Sequence, residues 1–128
     1  MSEFSKALSI SASGLKAQSS RLRHLSENIS NADTPGYRRK TIPFDVSTEN
    51  GVAHVKVGRM SLDDRPLERI YDPSHPMADD TGHYSGTNVD LLIELADARE
   101  AQRSYEANLK MFEQSRQMSS GLMQLLRR

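Results

Sequence analysis

The chain has 128 residues, with 17 Lys plus Arg against 17 Asp plus Glu and a formal net charge of zero. This balance gives no general attraction to nucleic acid or to an anionic membrane surface. Cysteine is absent, which excludes disulfides and thiolate metal ligands. Only 36% of the residues are hydrophobic and 5% aromatic. We therefore expect a modest core in a protein that covers the rest of its apolar surface with other chains.

The first predicted element is a helix from about residue 2 to residue 33. A seven-residue repeat of aliphatic residues is typical of a coiled-coil seam. It consists of Leu8, Leu15, Leu22 and Ile29, with Phe4 and Leu25 at companion positions. Ser11 and Gln18 interrupt the seam, and Gly14 offers room for another backbone to approach. Pro35 predicts the end of the helix just before it, because proline disfavours the helical conformation of the preceding residue.

The middle segment, residues 37–87, contains four of the five prolines and predicts a small β-containing insertion. Short strands are expected within residues 52–62 and again within residues 67–71. The pair Asn50 and Gly51 is typical of a tight hairpin turn. Residues 72–86, rich in Pro, Asp, His and Gly, are predicted to form an ordered or semi-ordered loop.

The third segment, from residue 88 to the end, predicts a long helix without proline. Thr87 is the expected N-cap, with Asp90 three residues later as in a capping box. Apolar residues follow helical spacing in two adjacent stripes. The first contains Leu95, Ala98, Tyr105, Leu109, Phe112, Met123 and Leu126, and the second contains Met111, Met118, Leu122 and Leu125. So wide an apolar face indicates more than one partner helix.

Together these elements predict a mainly α fold, in which two long terminal helices form a coiled-coil-like hairpin around a small β-containing insertion. The predicted divisions are residues 1–36, 37–87 and 88–128. Two modes of association stay open from periodicity alone. Hairpins of this kind form closed dimers, or they dock through unlike patches into a ring or a helical tube.

Three motifs resemble those of flagellar rod and hook proteins. The motif that ends the first helix contains Asn28, Asn31, Ala32, Thr34, Pro35, Gly36 and Tyr37. The stretch at residues 71–82 is similar to proximal-rod members of this family and contains Tyr71, Asp72, Pro73, His75 and Pro76. Arg103, Tyr105, Ala107 and Asn108 are similar to the start of the family's terminal coiled coil. Three motifs in this order, in a chain of this length, identify a family member, although residues 44–68 match little.

The resemblance implies a structural subunit of the bacterial flagellar basal-body rod, at its proximal part, that polymerises through its terminal helices and transmits motor torque. Its expected partners are copies of itself, other rod proteins, the junction of rod and membrane ring, and the flagellar type III export apparatus. The first residues lack a basic stretch followed by an apolar run, so we expect no cleaved secretory signal. The resemblance implies export by the type III apparatus to the periplasmic rod without cleavage of a signal peptide. The alternative is a soluble helical adaptor or export chaperone of the flagellar system.

The residues expected to pack between subunits lie on the apolar stripes of the two helices. They are Leu8, Leu15, Leu22, Leu25, Ile29, Leu95, Tyr105, Leu109, Phe112, Met118, Leu122 and Leu125. Methionines on such a face serve as an adaptable packing surface.

The sequence predicts neither an enzyme nor a cofactor. It has no Ser-His-Asp spacing, no phosphate-binding loop and no glycine-rich dinucleotide turn. His75 lies near Asp72, Asp79 and Asp80, but the spacing fits neither an EF-hand nor a zinc-protease motif. We expect a loop stiffened by proline, in which His75 forms a hydrogen bond, and no metal site.

The basic run at residues 38–40 has two interpretations. It contains Arg38, Arg39 and Lys40, which are suited to nucleic acid contact. A solvated basic surface is the simpler interpretation of three adjacent cations in a neutral chain. We therefore expect no nucleic acid partner.

Overall fold

The computed structural model describes residues 3–127 and shows two long helices with small strands between them. Helix α1 spans Glu3–Ser30 and helix α2 spans Leu91–Leu126. The strands are β1 Lys40–Thr41, β2 Phe44–Glu49, β3 Val52–Val57, β4 Ser61–Leu62, β5 Arg69–Tyr71 and β6 His83–Ser85. The predicted helical hairpin with a β-containing insertion is confirmed. Residues 1, 2 and 128, which the predicted terminal segments include, lie outside the described residues.

The two helices pack antiparallel through small side chains. Gly14 lies against Asn108, where an added Cβ would meet the Asn108 Oδ1 at 2.6 Å. At the other end of the hairpin, Asn28 reaches Glu94. The remaining small residues buried in the two helices are Ser11, Ala17, Ala101 and Ser115. The predicted interruption at Ser11 is therefore a buried position, and Gly14 makes room for a side chain rather than for a backbone.

Local hydrogen bonds end α1 at the predicted place. The Asn31 backbone N–H and side-chain amide both donate to the Glu27 carbonyl, at 3.0 and 2.8 Å. The Thr34 hydroxyl donates to Asn31 Oδ1 at 3.1 Å, and Gly36 follows with φ of 79°. These contacts satisfy groups at the helix end and turn the chain away from the helix axis.

The N-cap of α2 is Asp90, not Thr87. The Asp90 carboxylate accepts a hydrogen bond from the Leu92 backbone N–H at 3.0 Å. The Thr87 hydroxyl instead donates to the Ala32 carbonyl at 2.8 Å, so it joins the start of α2 to the end of α1. The predicted capping box was wrong because a tertiary contact occupies Thr87.

The strands form three separate antiparallel pairs, β1 with β4, β2 with β3 and β5 with β6. Asn50 and Gly51 join β2 to β3, and both have positive φ, at 52° and 77°. Positive φ at both positions defines the predicted tight turn. Strand β3 then lies on α1, where the Val55 backbone N–H donates to the Ser13 hydroxyl at 3.2 Å.

Two strand predictions need correction. Strand β2 was not predicted, although it pairs with β3 along its whole length. The predicted loop at residues 72–86 ends earlier, since β6 pairs with β5.

Neither helix in residues 3–127 has the length and apolar character needed to cross a bilayer.

Candidate functional site

The motif that ends α1 forms a buried polar junction between the helices. Asn28 is completely buried, and its amide nitrogen donates to the Lys40 carbonyl at 3.0 Å and to Glu94 Oε2 at 3.3 Å. Its Oδ1 accepts from the Tyr37 hydroxyl at 2.8 Å and from the Lys40 backbone N–H at 2.9 Å. These four hydrogen bonds use the full capacity of the amide. Asn28 thus joins α1 to β1 and α2.

Glu94 brings a negative charge into this junction and meets a matching cation. Its side chain is completely buried, and its Oε1 accepts a hydrogen bond from the Arg39 Nε. The same guanidinium reaches Asp97 at 3.3 Å and Asp63 at 3.7 Å. A buried carboxylate needs such pairing, because desolvation of an unpaired charge is very costly.

Asn88 connects the junction to the middle segment. Its Oδ1 accepts from the Arg39 backbone N–H at 2.7 Å, and its amide nitrogen donates to the carbonyls of Asp63 and Arg65 at 3.0 and 3.1 Å. A hydrogen bond from the Arg65 side chain holds the pKa of the Asp63 carboxyl below its usual range. Asn88, just before α2, is therefore tied to the chain directly before β1 and directly after β4.

The basic run at residues 38–40 is not the solvated surface that the sequence predicted. Besides the pairing of Arg39, the Arg38 guanidinium donates to the Arg65 carbonyl at 3.1 Å. The Lys40 ammonium donates to Glu27 at 2.6 Å. This hydrogen bond raises the pKa of Lys40 and lowers the pKa of Glu27. Each of the three cations is used within the fold.

The remaining residues of the first motif form the turn beside this junction. The Gly36 backbone N–H donates to the carbonyls of Ser85 and Gly86 at 3.2 and 3.0 Å. Burial raises the pKa of the Tyr37 phenol, whose hydroxyl is bound to Asn28. Pro35 is half-buried next to them. The motif thus fixes how the two helices meet.

The second motif forms a tightly bonded surface loop between β5 and β6. Asp72 accepts from the Ser74 hydroxyl at 2.7 Å, and the Met77 backbone N–H donates to the His75 Nδ1 at 3.1 Å. The His75 ring also stacks on Tyr84 at 3.8 Å between centroids. The predicted hydrogen bond of His75 within its loop is confirmed.

Asp79 fixes the far side of this loop. It accepts from the Thr81 hydroxyl, the His83 backbone N–H and the Arg69 guanidinium, and these contacts hold its pKa well below the usual range. Tyr71, Pro73 and Pro76 are exposed on the loop surface. Within residues 3–127 no three His, Asp or Glu side chains are placed to hold a metal ion together.

The residues predicted to pack between subunits fall into three classes of exposure. Leu25 is buried inside the chain. The half-buried ones are Leu8, Leu15, Leu22, Ile29, Tyr105 and Phe112. The exposed ones are Leu95, Leu109, Met118, Leu122 and Leu125.

Other large side chains extend the exposed apolar surface along α2 and at both of its ends. They are Leu91, Leu92, Ile93, Met111, Met123 and Leu126. The prediction that the single chain leaves apolar surface uncovered is therefore confirmed. Apolar surface of this extent on a small chain is typical of a protein-binding face.

The pattern of the sequence does not identify the other members of the polar junction, which are Glu94, Asp97, Asn88 and Asp63. A glutamate or an aspartate in an amphipathic helix is normally a surface residue. The sequence feature that points to Glu94 as a buried residue is its position among apolar residues, one turn into α2.

A helical hairpin with a fixed polar junction and an uncovered apolar face defines a structural assembly subunit. Two family profiles match the chain. "Flagella basal body rod protein" matches residues 8–38, and "Flagellar basal body rod FlgEFG protein C-terminal" matches residues 80–125.

Similar proteins agree with both profiles. The flagellar basal-body rod protein FlgC of Agrobacterium fabrum is 45% identical, over 99% of this chain and 98% of its own length. The protein of the same name from Salmonella typhimurium is 36% identical, over 80% of this chain and 82% of its own. The one from Buchnera aphidicola subsp. Baizongia pistaciae is 31% identical, over 85% of this chain. The chain belongs to the FlgC family of flagellar basal-body rod proteins, and it is a structural rod subunit rather than an enzyme.

Proposed function

We propose that the chain polymerises within the rod through its two terminal helices and carries motor torque along them. The observation that supports this is the apolar face of α2, which the chain itself does not cover. Removing such a face from water provides the main driving force for association. In this proposal residues 1–36 and 88–128 form the assembly domain, and residues 37–87 pack outside it.

The polar junction supports the part of the proposal that concerns torque. A subunit under torsion has to resist sliding and twisting between its helices. Asn28, Glu94 and Arg39 join α1, β1 and α2 by directional hydrogen bonds in a buried site. Such bonds fix geometry more strictly than apolar contacts do. The family motif therefore presents the packing faces at a constant angle.

Substitution of the exposed face tests the proposal. Leu109→Asp and Phe112→Asp place charges on the packing surface, and the desolvation of a carboxylate opposes its burial between subunits. We expect rods and swimming to be lost. Leu109 is 37% exposed in the single chain, so its variant should keep the monomer's helical circular dichroism.

The matched control is Gln114→Asp, which adds the same charge at another exposed position of α2. It should assemble and swim like the parent. Normal swimming by both Leu109→Asp and Phe112→Asp would refute the proposed packing face. The names of the relatives favour a rod subunit over a cytoplasmic adaptor or export chaperone.

We further propose that the chain is exported by the flagellar type III apparatus and resides in the periplasmic rod, near the membrane ring, without losing an N-terminal leader. Ser11, Gly14 and Ala17 are buried in the fold. Cleavage of a leader of ordinary length would remove them and open the hairpin. The intact mass of the chain from purified basal bodies tests this, and a mass lacking the first 15 to 30 residues would refute it.

A further inference from the structure

The β2–β3 hairpin has one covered edge and one free edge. Each of its strands has 6 residues, whereas the strands of the other two pairs have 2 or 3. Strand β3 lies on α1, where its Val55 backbone N–H donates to the Ser13 hydroxyl. Strand β2 pairs with β3 alone among residues 3–127. The side of β2 that points away from β3 therefore meets no other strand.

The tight turn determines which backbone groups of β2 face outward. In a two-residue hairpin, the residues that flank the turn form a hydrogen-bonded pair, and such pairs alternate along the two strands. Glu49 and Val52 flank this turn. Hydrogen-bonded pairs therefore recur at every second residue of β2. The residues between them turn their backbone N–H and C=O groups to the free edge, and they are Phe44, Val46 and Thr48.

Two hydrogen bonds elsewhere in the hairpin agree with this assignment. The Gly58 backbone N–H donates to the Pro43 carbonyl at 2.9 Å, which continues the hydrogen-bonded series beyond β2. Val55, the cross-strand partner of Val46, directs its backbone N–H to Ser13 and not to β2. The free edge therefore offers donors and acceptors at alternate residues, with a repeat of about 7 Å along the strand.

One face of this free edge carries uncovered apolar side chains. Phe44 is 38% exposed and Val46 is 77% exposed. Their partners across the hairpin, Val57 and Val55, share this face and are half-buried. Apolar side chains beside free backbone groups form a template for a further strand. Proline and lysine, which commonly protect such an edge, are both absent from β2.

The opposite face of β2 carries acidic side chains. Asp45 and Glu49 are exposed and form no ion pair among residues 3–127. Lys56 lies opposite Asp45 on β3, one strand further from the free edge. A strand added at this edge would lie about 4.8 Å from β2 and about twice that distance from β3. Basic side chains are therefore favoured on this face of an added strand.

We propose that the free edge of β2 binds an extended segment of another basal-body protein, which adds to the hairpin as a third strand. The segment alternates apolar residues, which cover Phe44 and Val46, with basic residues, which lie beside Asp45 and Glu49. The outward backbone groups select an extended segment, because only a strand presents N–H and C=O groups at the matching spacing. A two-stranded hairpin is marginally stable by itself, so a third strand also stabilises it.

A second copy of the chain fits this edge less well. Antiparallel pairing of two β2 strands places Asp45 and Glu49 of both copies on one face, and like charges on adjacent strands are destabilising. Such pairing also relates the two copies by a twofold axis and closes on itself, so it does not continue along a rod. The inference goes beyond the proposed packing of the terminal helices and does not depend on it.

Hydrogen exchange of the full chain, alone and in purified basal bodies, tests for the added strand. In the single chain, the backbone amides of Phe44, Val46 and Thr48 should exchange rapidly, whereas the amide of Ser47 is protected by its pairing with β3. In basal bodies we expect the three outward amides to exchange more slowly by at least about tenfold. Rapid exchange of these amides in assembled basal bodies overturns the inference.

A proline variant shows whether this protection comes from backbone pairing. Val46→Pro removes an outward N–H and leaves the pairing of β2 with β3 intact, because proline is tolerated where an edge N–H points away from the ladder. The amides of Phe44 and Thr48 should then exchange in basal bodies as fast as in the single chain. Val46→Thr is the matched control, since it keeps the N–H and the β-branched shape, and it should retain most of the protection. Equal protection in both variants refutes the added strand, and the parent's exchange pattern decides if Val46→Pro yields no basal bodies.

Photochemical cross-linking identifies the bound segment. A benzophenone amino acid in place of Thr48 lies on the apolar face of the free edge, and one in place of Asp80, on the exposed loop, serves as the control. We expect the first to cross-link, in basal bodies, to a segment of another protein that alternates apolar and basic residues, and the second to give no such product. A cross-link only to a second copy, or to a helical segment, overturns the inference. The proposed packing of the terminal helices fails by a different result, which is normal swimming of Leu109→Asp and Phe112→Asp.

Discussion

Replacement of Glu94 by alanine should destabilise the single chain strongly. The substitution removes the carboxylate that pairs with Arg39 and accepts from Asn28. Loss of one partner from a buried ion pair costs about 3–5 kcal/mol. Asp97 and Asp63 still contact the Arg39 guanidinium, so we expect about 2–4 kcal/mol. Urea unfolding followed by circular dichroism at the helix band gives this value as a shift of the midpoint at constant slope.

Two further variants show whether the loss comes from this buried site. Glu94→Gln keeps an oxygen acceptor and loses the charge, so it should cost about 1–2 kcal/mol. Glu100→Ala removes a carboxylate of the same helix that pairs with Arg21 at 3.5 Å but is 68% exposed. Exposed pairs contribute below about 1 kcal/mol. If Glu94→Ala costs no more than Glu100→Ala, the junction does not hold the hairpin together and our reasoning is wrong.

Two more predictions concern the hairpin interface and the response to acid. Gly14→Val should destabilise the chain by about 1–3 kcal/mol through overpacking against Asn108. Adding Asn108→Ala should recover part of this loss in the same urea assay. Full stability of Gly14→Val alone would contradict the close contact. The pKa of Asp63 lies below its ordinary value of 3.8 because Arg65 donates a hydrogen bond to the carboxylate. The stabilisation that this carboxylate gives the folded chain is therefore complete above pH 3.8 and is lost as the pH falls through the lowered pKa. Asp63→Asn should therefore show a smaller difference between the urea midpoints at pH 7 and pH 3 than the parent, and an unchanged difference would contradict this.

Local chemistry was enough to predict most of the secondary structure. Pro35 and the polar residues before it end α1, and Asn50 with Gly51 forms the tight turn. Strand β2 was missed although Phe44 and Val46 alternate with polar residues, which is a strand pattern. Both remain exposed, so burial does not reinforce the alternation. Thr87 was misassigned because its hydroxyl meets Ala32, a neighbour 55 residues away.

The polar junction was beyond the reach of sequence periodicity. The motif containing Asn28 and Tyr37 predicts mainly a helix stop and a turn. Its main partner, Glu94, lies 66 residues away along the chain. Nothing near Arg39 in sequence distinguishes it from a solvated cation, since its carboxylate partners approach only after the hairpin closes. Contacts of this kind depend on tertiary packing rather than on local pattern.

The distribution of side-chain size connects the fold to the assembly. Small residues such as Gly14, Ala17 and Ala101 are buried in the two helices, whereas Leu109 and Leu125 are exposed. This reverses the usual preference for large apolar residues in the interior. The hairpin therefore depends on close approach and on the polar junction, together with the buried Leu25, and the exposed large apolar residues of α2 remain for neighbours. Changes inside the hairpin should consequently weaken the single chain, while polar changes on its outer face should block assembly and leave the single chain folded. If the exposed leucines held the hairpin together, polar changes on its outer face would unfold the single chain as well as block assembly.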